Sequence, residues 1–202
     1  SLLAVSAPAA SAAIFDGSPA DTPNTLFVTT LGNDRTATIG KASRPWATLS
    51  NAAEVVQNGQ TILVKPGTYT GYGAFYGGVR GHIRLLNKTN VTVKGESLPS
   101  LYFPTGLTLI EIRGCSGIKI DGLRLSCHPR TSELETTNAL LAASNAIVAF
   151  GAPFGAIEVI ESEKVSVTGC VIENMWDHGI LADPGVSANF PSTNGCSYTG
   201  NR

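Results

Sequence analysis

The sequence predicts an all-β solenoid of stacked parallel coils, because one motif occurs three times along the chain. The copies occupy residues 83–95, 110–122 and 157–169. Each copy has two short runs in which aliphatic and polar residues alternate, five residues between the runs, and a glycine after the second run. Alternation places the aliphatic side chains on one face of a strand. One copy cannot bury that face alone, so we expect the copies to stack.

Stacking in register predicts two inner columns of aliphatic side chains. These columns are Ile83, Ile110 and Ile157, and Val93, Ile120 and Val167. The glycines that close the copies are Gly95, Gly122 and Gly169. They mark a corner that needs a left-handed backbone or a tight bend, which glycine tolerates best.

The intervals between the copies predict where the coils have extra loops. The interval between the second and third copies is the longer one, so an inserted loop lies within residues 128–154. A weaker fourth copy occurs at residues 180–182 and 196–200, with the loop 183–195 between its two runs. Loops inserted at one turn of a solenoid often form its binding face.

The segment before the repeats predicts a strand and a short helix. Residues 61–69 are typical of an earlier strand that ends in a turn. Apolar residues at helical spacing predict a helix within residues 47–56, with Ser43 and Pro45 at its cap and start. The apolar positions are Leu49, Ala52, Ala53 and Val56. Such a helix would cover the open first coil, whose apolar side chains and strand edges are otherwise exposed.

Three stretches resemble the N-terminal opening of right-handed parallel β-helices of the pectate-lyase-like superfamily. They are residues 26–34 (LFVTTLGND), 43–49 (SRPWATL) and 59–69 (GQTILVKPGTY). The resemblance covers most of residues 26–202 and implies a right-handed parallel β-helix with a short N-terminal capping helix. The superfamily includes polysaccharide lyases, phage tail spikes and surface adhesins. The same opening precedes lyases, hydrolases, epimerases and inert fibres, so it predicts the fold and leaves the chemistry open.

Charge and hydropathy exclude two classes of partner. The chain has 14 basic and 15 acidic residues, so we expect no basic patch for nucleic acid. No run approaches the roughly 18–20 apolar residues that a membrane-spanning helix needs. Residues 1–13 are typical of the tail of a secretory signal, and we interpret 1–25 as a signal-peptide remnant or an N-terminal arm. This pattern predicts a secreted, extracellular or cell-surface protein.

Two further features concern the cellular compartment of the protein and its glycosylation. The four cysteines, Cys115, Cys127, Cys170 and Cys196, are compatible with an oxidising compartment, but their pairing stays open. Asn87 and Asn90 begin adjacent glycosylation sequons at a turn, so both are candidate glycosylation sites.

The end of the chain predicts a further contact. The sequence stops within a coil, at Arg202. We therefore expect further coils of a longer protein, or a protein partner, to cover this end.

The first candidate site is a column of charged residues on the outer side of the coils. Glu111 and Glu158 are expected on adjacent coils, with Arg84 above Glu111 and Lys119 one strand away. This column is either an acid–base or cation site or an exposed ladder in which Arg84 offsets Glu111. We favour the ladder, since exposed pairs contribute little. No aspartate cluster of the lyase type is visible, so we predict no metal site and no cofactor. Ca²⁺ would be expected only if the protein had a lyase-like activity.

The second candidate site lies at the corner that precedes the fourth copy. Glu173, Asp177 and His178 are the predicted catalytic residues, because they bring carboxylates and an imidazole together. Trp176 is the predicted sugar-stacking residue. Epimerases and lyases that this chain resembles use an Asp-Pro-His motif, which residues 176–178 do not match. An ordinary coil corner is the alternative.

Aromatic residues in a glycine-rich stretch form a third candidate. Tyr72 and Tyr76 lie within residues 67–78 (GTYTGYGAFYGG) and are predicted to bind substrate. The alternative is an irregular loop that packs its own aromatic rings.

Three function classes follow from these observations. We favour a secreted or cell-surface β-helical scaffold or adhesin that is associated with a glycan and lacks a complete catalytic site in this segment. The alternatives are a polysaccharide-active lyase, hydrolase or epimerase, and a carbohydrate-binding module or viral tail-spike component. A polysaccharide or other glycan is the expected partner in each case.

Overall fold

The computed structural model describes residues 21–70, 83–102, 108–126, 155–173, 175, 178–183 and 196–202. These parts of the chain form parallel strands and one short helix, α1 (Leu49–Val55). The strands are β1 (Thr25–Val28), β2 (Thr61–Val64), β3 (Thr68–Thr70), β4 (Ile83–Leu86), β5 (Thr92–Gly95), β6 (Ser100–Tyr102), β7 (Ile110–Arg113), β8 (Lys119–Asp121), β9 (Arg124–Ser126), β10 (Gly155–Ile160), β11 (Ser166–Thr168), β12 (Val171–Glu173), β13 (His178–Asp183) and β14 (Ser197–Thr199).

The strands form three parallel sheets that the chain visits in turn. Sheet A has the order β1-β2-β5-β8-β11-β14, sheet B has β12-β9-β6-β3, and sheet C has β13-β10-β7-β4. From β2 onward each coil adds one strand to each sheet. The prediction of an all-β parallel solenoid is confirmed.

The strand register produces the predicted inner columns. Ile83 pairs with Ile110, Ile110 with Ile157, and Ile157 with Ile180 of the fourth copy. The second column is Ile62, Val93, Ile120, Val167 and Tyr198. The repeated isoleucines at residues 83, 110 and 157 are fully buried. The core is therefore one continuous stack of mainly aliphatic side chains between the three sheets.

Sheet B was not predicted from the sequence. Its strands have three residues each, and each strand directs a single side chain inward, so no alternation is visible in the sequence. The inner column of this sheet is Tyr69, Leu101, Leu125 and Ile172. The repeat is consequently a three-stranded coil, in which the predicted motif supplies two strands.

The corner glycines occur for two different reasons. Gly122 and Gly169 adopt φ values of 67° and 60°, in the left-handed region that favours glycine. At Gly95 the constraint is space, because a Cβ atom there would collide with the carbonyl oxygen of Gly122. The predicted column thus marks a close approach of neighbouring coils as well as a bend.

The turns from sheet C to sheet A repeat one backbone pattern. Each has five residues, at 87–91, 114–118 and 161–165, and each is left-handed at its first and fourth positions. The first positions are Asn87, Gly114 and Glu161, and the fourth positions are Asn90, Gly117 and Lys164. Asparagine tolerates this conformation better than most residues, which explains two of the six positions without reference to modification.

The helix begins later than predicted. Its N-cap is Thr48, whose hydroxyl accepts a hydrogen bond from the N–H of Asn51, so Ser43 and Pro45 lie outside it. The segment before the helix instead pairs with β1: the N–H of Trp46 donates to the carbonyl of Phe27 at 2.8 Å. This pairing blocks part of the outer edge of β1. The predicted apolar face is buried, and α1 packs against β4, β1 and β2.

Asp34 fixes the start of the helix. Its carboxylate accepts hydrogen bonds from the N–H groups of Ala47 at 2.8 Å and Thr48 at 3.1 Å. It also accepts from the Thr48 hydroxyl at 2.9 Å and the Asn51 amide at 2.8 Å. Partial burial acts to raise the pKa of Asp34, but these hydrogen bonds outweigh burial and hold the pKa below its usual range.

Replacing Asp34 with alanine should lower the free energy of unfolding by about 1–3 kcal/mol at neutral pH, because the capping segment loses its acceptor. A carboxyl group with a lowered folded-state pKa stabilises above its unfolded value of about 3.9. That contribution is lost as the pH falls through the folded-state pKa. Urea unfolding at pH 7 and pH 3 should therefore show a smaller difference between wild type and Asp34→Ala at pH 3.

Asp21→Asn is the matched control for this prediction. Asp21 also has a lowered pKa, caused first by its hydrogen bond from Lys41, but it lies on the surface. An exposed pair contributes little, so its removal should change stability much less. Equal effects of the two substitutions would contradict the role assigned to Asp34.

Candidate functional site

Charged residues cluster on the outer face of sheet C. One outward row contains Arg84, Glu111, Glu158 and Leu181, which are register partners on successive strands. The next outward row contains Leu86, Arg113, Ile160 and Asp183. The expected pairing of Arg84 with Glu111 is present, but the prediction that this ladder is exposed is wrong, since Glu111 is 5% exposed and Glu158 is 7% exposed.

Glu111 binds two arginines at once. Its Oε2 atom accepts a hydrogen bond from Nε of Arg84 at 2.8 Å, and its Oε1 atom accepts one from Nε of Arg113 at 3.1 Å. The side chains of Arg84 and Arg113 are 37% and 46% exposed, against 6% for Glu111. We call these three residues the arginine clamp. A buried carboxylate thus orients two guanidinium groups toward solvent.

The strands explain why these side chains meet. Arg84 pairs with Glu111 across adjacent strands, which lie about 4.8 Å apart. Arg113 follows Glu111 by two residues on β7 and therefore shares its face. Sequence reasoning missed Arg113, although its spacing from Glu111 was a usable signal.

Long connections of the chain lead into and out of this sheet. Within the stack of coils, the three longest connections are residues 71–82, 127–154 and 184–196. The first two precede strands β4 and β10, and the third follows β13, so all three adjoin sheet C. Connections of this kind are where solenoids and other rigid scaffolds often hold binding residues.

The clamp is suited to binding an anion. Each arginine uses Nε for Glu111, and a guanidinium has four further N–H donors on its two Nη atoms. These donors form a planar fork that matches a carboxylate with two parallel hydrogen bonds. Both oxygens of Glu111 accept a hydrogen bond from an arginine, so the carboxylate and the two guanidinium groups hold one another in place. Glu158, one strand away, is the second buried carboxylate of the face.

The predicted catalytic residues are only partly described. Glu173 lies on β12 of sheet B, where its Oε1 atom is 3.1 Å from Nη1 of Arg124. His178 begins β13 of sheet C and is the register partner of Gly155. Asp177 lies outside the described residues. The grouping of Glu173, Asp177 and His178 therefore stays a prediction.

The predicted sugar-binding aromatic residues are untested. Trp176, Tyr72 and Tyr76 lie outside the described residues. Tyr69, from the same aromatic stretch as Tyr72 and Tyr76, is a core residue that is 6% exposed. Its hydroxyl lies 2.8 Å from the carbonyl of Lys65, and burial raises its pKa to about 12. Tyr69 is therefore structural.

The two candidate glycosylation residues lie in one turn between sheets C and A. Asn87 and Asn90 are exposed and left-handed, with φ values of 52° and 55°. The side-chain oxygen of Asn87 lies over Gly114 of the next coil, and that of Asn90 lies over Gly117. Glycosylation at either position stays a prediction.

The described cysteines are not paired with one another. Cys115 and Cys170 are buried, Cys196 is partly buried, and all three are free. Burial raises the pKa of the Cys115 and Cys170 thiols. A raised pKa suppresses the reactive thiolate, so these two residues act as small core side chains. Cys127 lies outside the described residues.

Two further features of the described residues concern a metal ion and a membrane. No group of three or more His, Cys, Asp or Glu side chains that could hold a metal occurs among the residues the structure describes. No helix in the described ranges is long and apolar enough to cross a membrane.

The fold has a relative of known structure. The chain is similar to a rhamnogalacturonan lyase, with a TM-score of 0.53 and 12% sequence identity. The match covers 89% of this chain and 51% of the lyase chain, so the chain spans about half the length of that protein. No family model matches the sequence, and no curated protein matches it. A likeness at this identity shows a shared fold alone.

Replacing Glu111 with glutamine should lower the free energy of unfolding by about 1–3 kcal/mol, because one arginine then faces an amide donor and loses its acceptor. Glu163→Gln is the matched control, since Glu163 is 42% exposed, lies 3.5 Å from Lys164, and keeps with glutamine an oxygen for the hydrogen bond that Ser116 donates at 2.9 Å. That substitution should cost about 0–1 kcal/mol. Guanidinium unfolding of both variants measures the difference. A Glu111→Gln protein as stable as wild type would contradict the stabilising role assigned to the two arginine–carboxylate hydrogen bonds.

Proposed function

We propose that this chain is a glycan-binding right-handed parallel β-helix that holds an acidic polysaccharide on the outer face of sheet C. In this proposal the protein is a scaffold or adhesin and binds the polysaccharide without cleaving it. The single observation that supports the proposal most is the arginine clamp, in which Glu111 orients Arg84 and Arg113.

The chemistry of the clamp favours an anionic sugar. Two half-exposed guanidinium groups on one face can take a sugar carboxylate with paired, charge-assisted hydrogen bonds. The name of the structural neighbour indicates a polysaccharide that contains uronic acid, which agrees with this chemistry. Solenoid sheets also offer a long, regular surface on which successive units of a polymer can lie.

The right-handed winding is part of the proposal. The chain passes from β1 through α1 to β2, its parallel neighbour in sheet A. About 98% of parallel strand–crossover–strand connections are right-handed. The same hand in the later coils would give the right-handed helix that the N-terminal sequence resembles.

A location outside the cell is also proposed. Its support is the pattern of residues 1–13, which is typical of a secretory signal and lies outside the described residues. The exposed sequons at Asn87 and Asn90 fit that location. Polysaccharide at a cell surface or in a matrix is then the proposed partner.

A polysaccharide-active enzyme is the second candidate. It is favoured by Glu158, a buried carboxylate next to the clamp, and by the lyase name of the structural neighbour. A lyase, hydrolase or epimerase would change the polysaccharide during incubation. Chromatography of polygalacturonate after prolonged incubation separates the two candidates, since the scaffold leaves chain length and sugar composition unchanged.

Removing both arginines should abolish binding to the acidic polysaccharide. We expect the double variant Arg84→Gln/Arg113→Gln to bind polygalacturonate at least about 100-fold more weakly than wild type, because two charge-assisted contacts are lost. Isothermal titration at low and high salt measures this effect. Binding by wild type should weaken with added salt.

Lys94→Gln/Lys119→Gln is the control for charge alone. Both lysines are exposed on the outer face of sheet A, and their removal also takes away two positive charges. This control should bind polygalacturonate nearly as well as wild type. Equal losses in the two double variants would show non-specific attraction and would contradict a site on sheet C.

A further inference from the structure

The outer face of sheet B holds a second polar cluster, separate from the clamp. Tyr102, Ser126 and Glu173 are register partners on β6, β9 and β12, so they form one row across three strands. Arg124 lies beside this row on β9. The row spans about 10 Å, since adjacent strands lie about 4.8 Å apart.

A charge pair joins two coils within this cluster. Nη1 of Arg124 donates to Oε1 of Glu173 at 3.1 Å, and the two side chains are 44% and 24% exposed. A half-exposed pair contributes only about 0–1 kcal/mol to stability. The pair therefore adds little to the fold, while it fixes a carboxylate and a guanidinium side by side at the surface.

Tyr102, Arg124 and Glu173 supply complementary groups for a neutral sugar. A tyrosine ring offers an apolar face for the C–H side of a sugar ring. A carboxylate accepts hydrogen bonds from neighbouring sugar hydroxyls, and a guanidinium donates to sugar oxygens. Because Glu173 and Arg124 cancel each other's charge, the cluster has no net attraction for an acidic unit. The cluster therefore differs in charge from the arginine clamp, which presents two arginines to solvent.

We propose that Tyr102, Arg124 and Glu173 form a second binding subsite, which takes a neutral sugar residue on the outer face of sheet B, with Ser126, which is 6% exposed, lying beneath them. The subsite lies on a different sheet from the clamp and does not depend on the function proposed for sheet C. Along the chain, each of β6, β9 and β12 is followed by a strand of sheet C, so sheets B and C are neighbouring faces of the same coils. A polysaccharide that contains both neutral and acidic units could therefore contact both faces.

The test is a saturation-transfer NMR titration of the full chain with four neutral probes: cellotetraose, xylotetraose, mannotetraose and galactotetraose. At least one probe should bind wild type. Glu173→Gln and Tyr102→Leu should each weaken that binding about tenfold, and Tyr102→Phe, which keeps the ring, should retain it. Lys94→Gln on sheet A is the control and should bind normally.

The outcomes separate this subsite from the site on sheet C. The double variant Arg84→Gln/Arg113→Gln should still bind the neutral probe. That result supports the subsite on sheet B, whether or not the same variant binds polygalacturonate. Binding of no neutral probe would overturn the inference, as would binding that both sheet B substitutions leave unchanged. Unfolding midpoints are measured for every variant, and if Tyr102→Leu is destabilised, Glu173→Gln and Arg124→Gln decide the result.

Discussion

The parallel register between successive coils is the constraint on which the rest of the structure depends. It places Ile83, Ile110 and Ile157 in one buried column that the partly buried Ile180 continues, and the same register places the outward residues in columns of their own. A slip by one residue would turn the whole aliphatic set toward solvent. The core therefore fixes the outer surface: whichever polar residues alternate with the core residues are brought together on a sheet face.

The two polar clusters follow from this constraint. On sheet C the register sets Arg84 against Glu111, and on sheet B it sets Ser126 against Glu173. On both sheets a carboxylate from one coil pairs with an arginine from its neighbour. Burial distinguishes them, since Glu111 is almost fully enclosed and Glu173 is not. The enclosed carboxylate orients two arginines for an anion, whereas the open pair is suited to neutral hydroxyls.

Much of the fold could be predicted from the sequence because alternation and repetition are local signals. Ile83 and Val93 were placed in their columns by spacing alone, and the fourth copy at Ile180 was found in the same way. The strands of sheet B are too short to show alternation, so they were missed. Burial of Glu111 was also missed, because exposure depends on neighbouring segments that no local pattern reveals. The predicted position of the helix cap was wrong for a related reason. Because Trp46 pairs with β1, the helix begins at a later residue.

The register itself is tested most directly by disulfide formation between introduced cysteines. Thr92 and Lys119 are register partners on the outer face of sheet A, so Thr92→Cys/Lys119→Cys should form an intramolecular disulfide on oxidation. Thr92→Cys/Asp121→Cys, shifted by two residues on the same face, exceeds the limit of about 7 Å between Cα atoms and should not. Peptide mapping by mass spectrometry reads both outcomes. A disulfide in the shifted pair, with none in the register pair, would contradict the stacking on which both polar clusters depend.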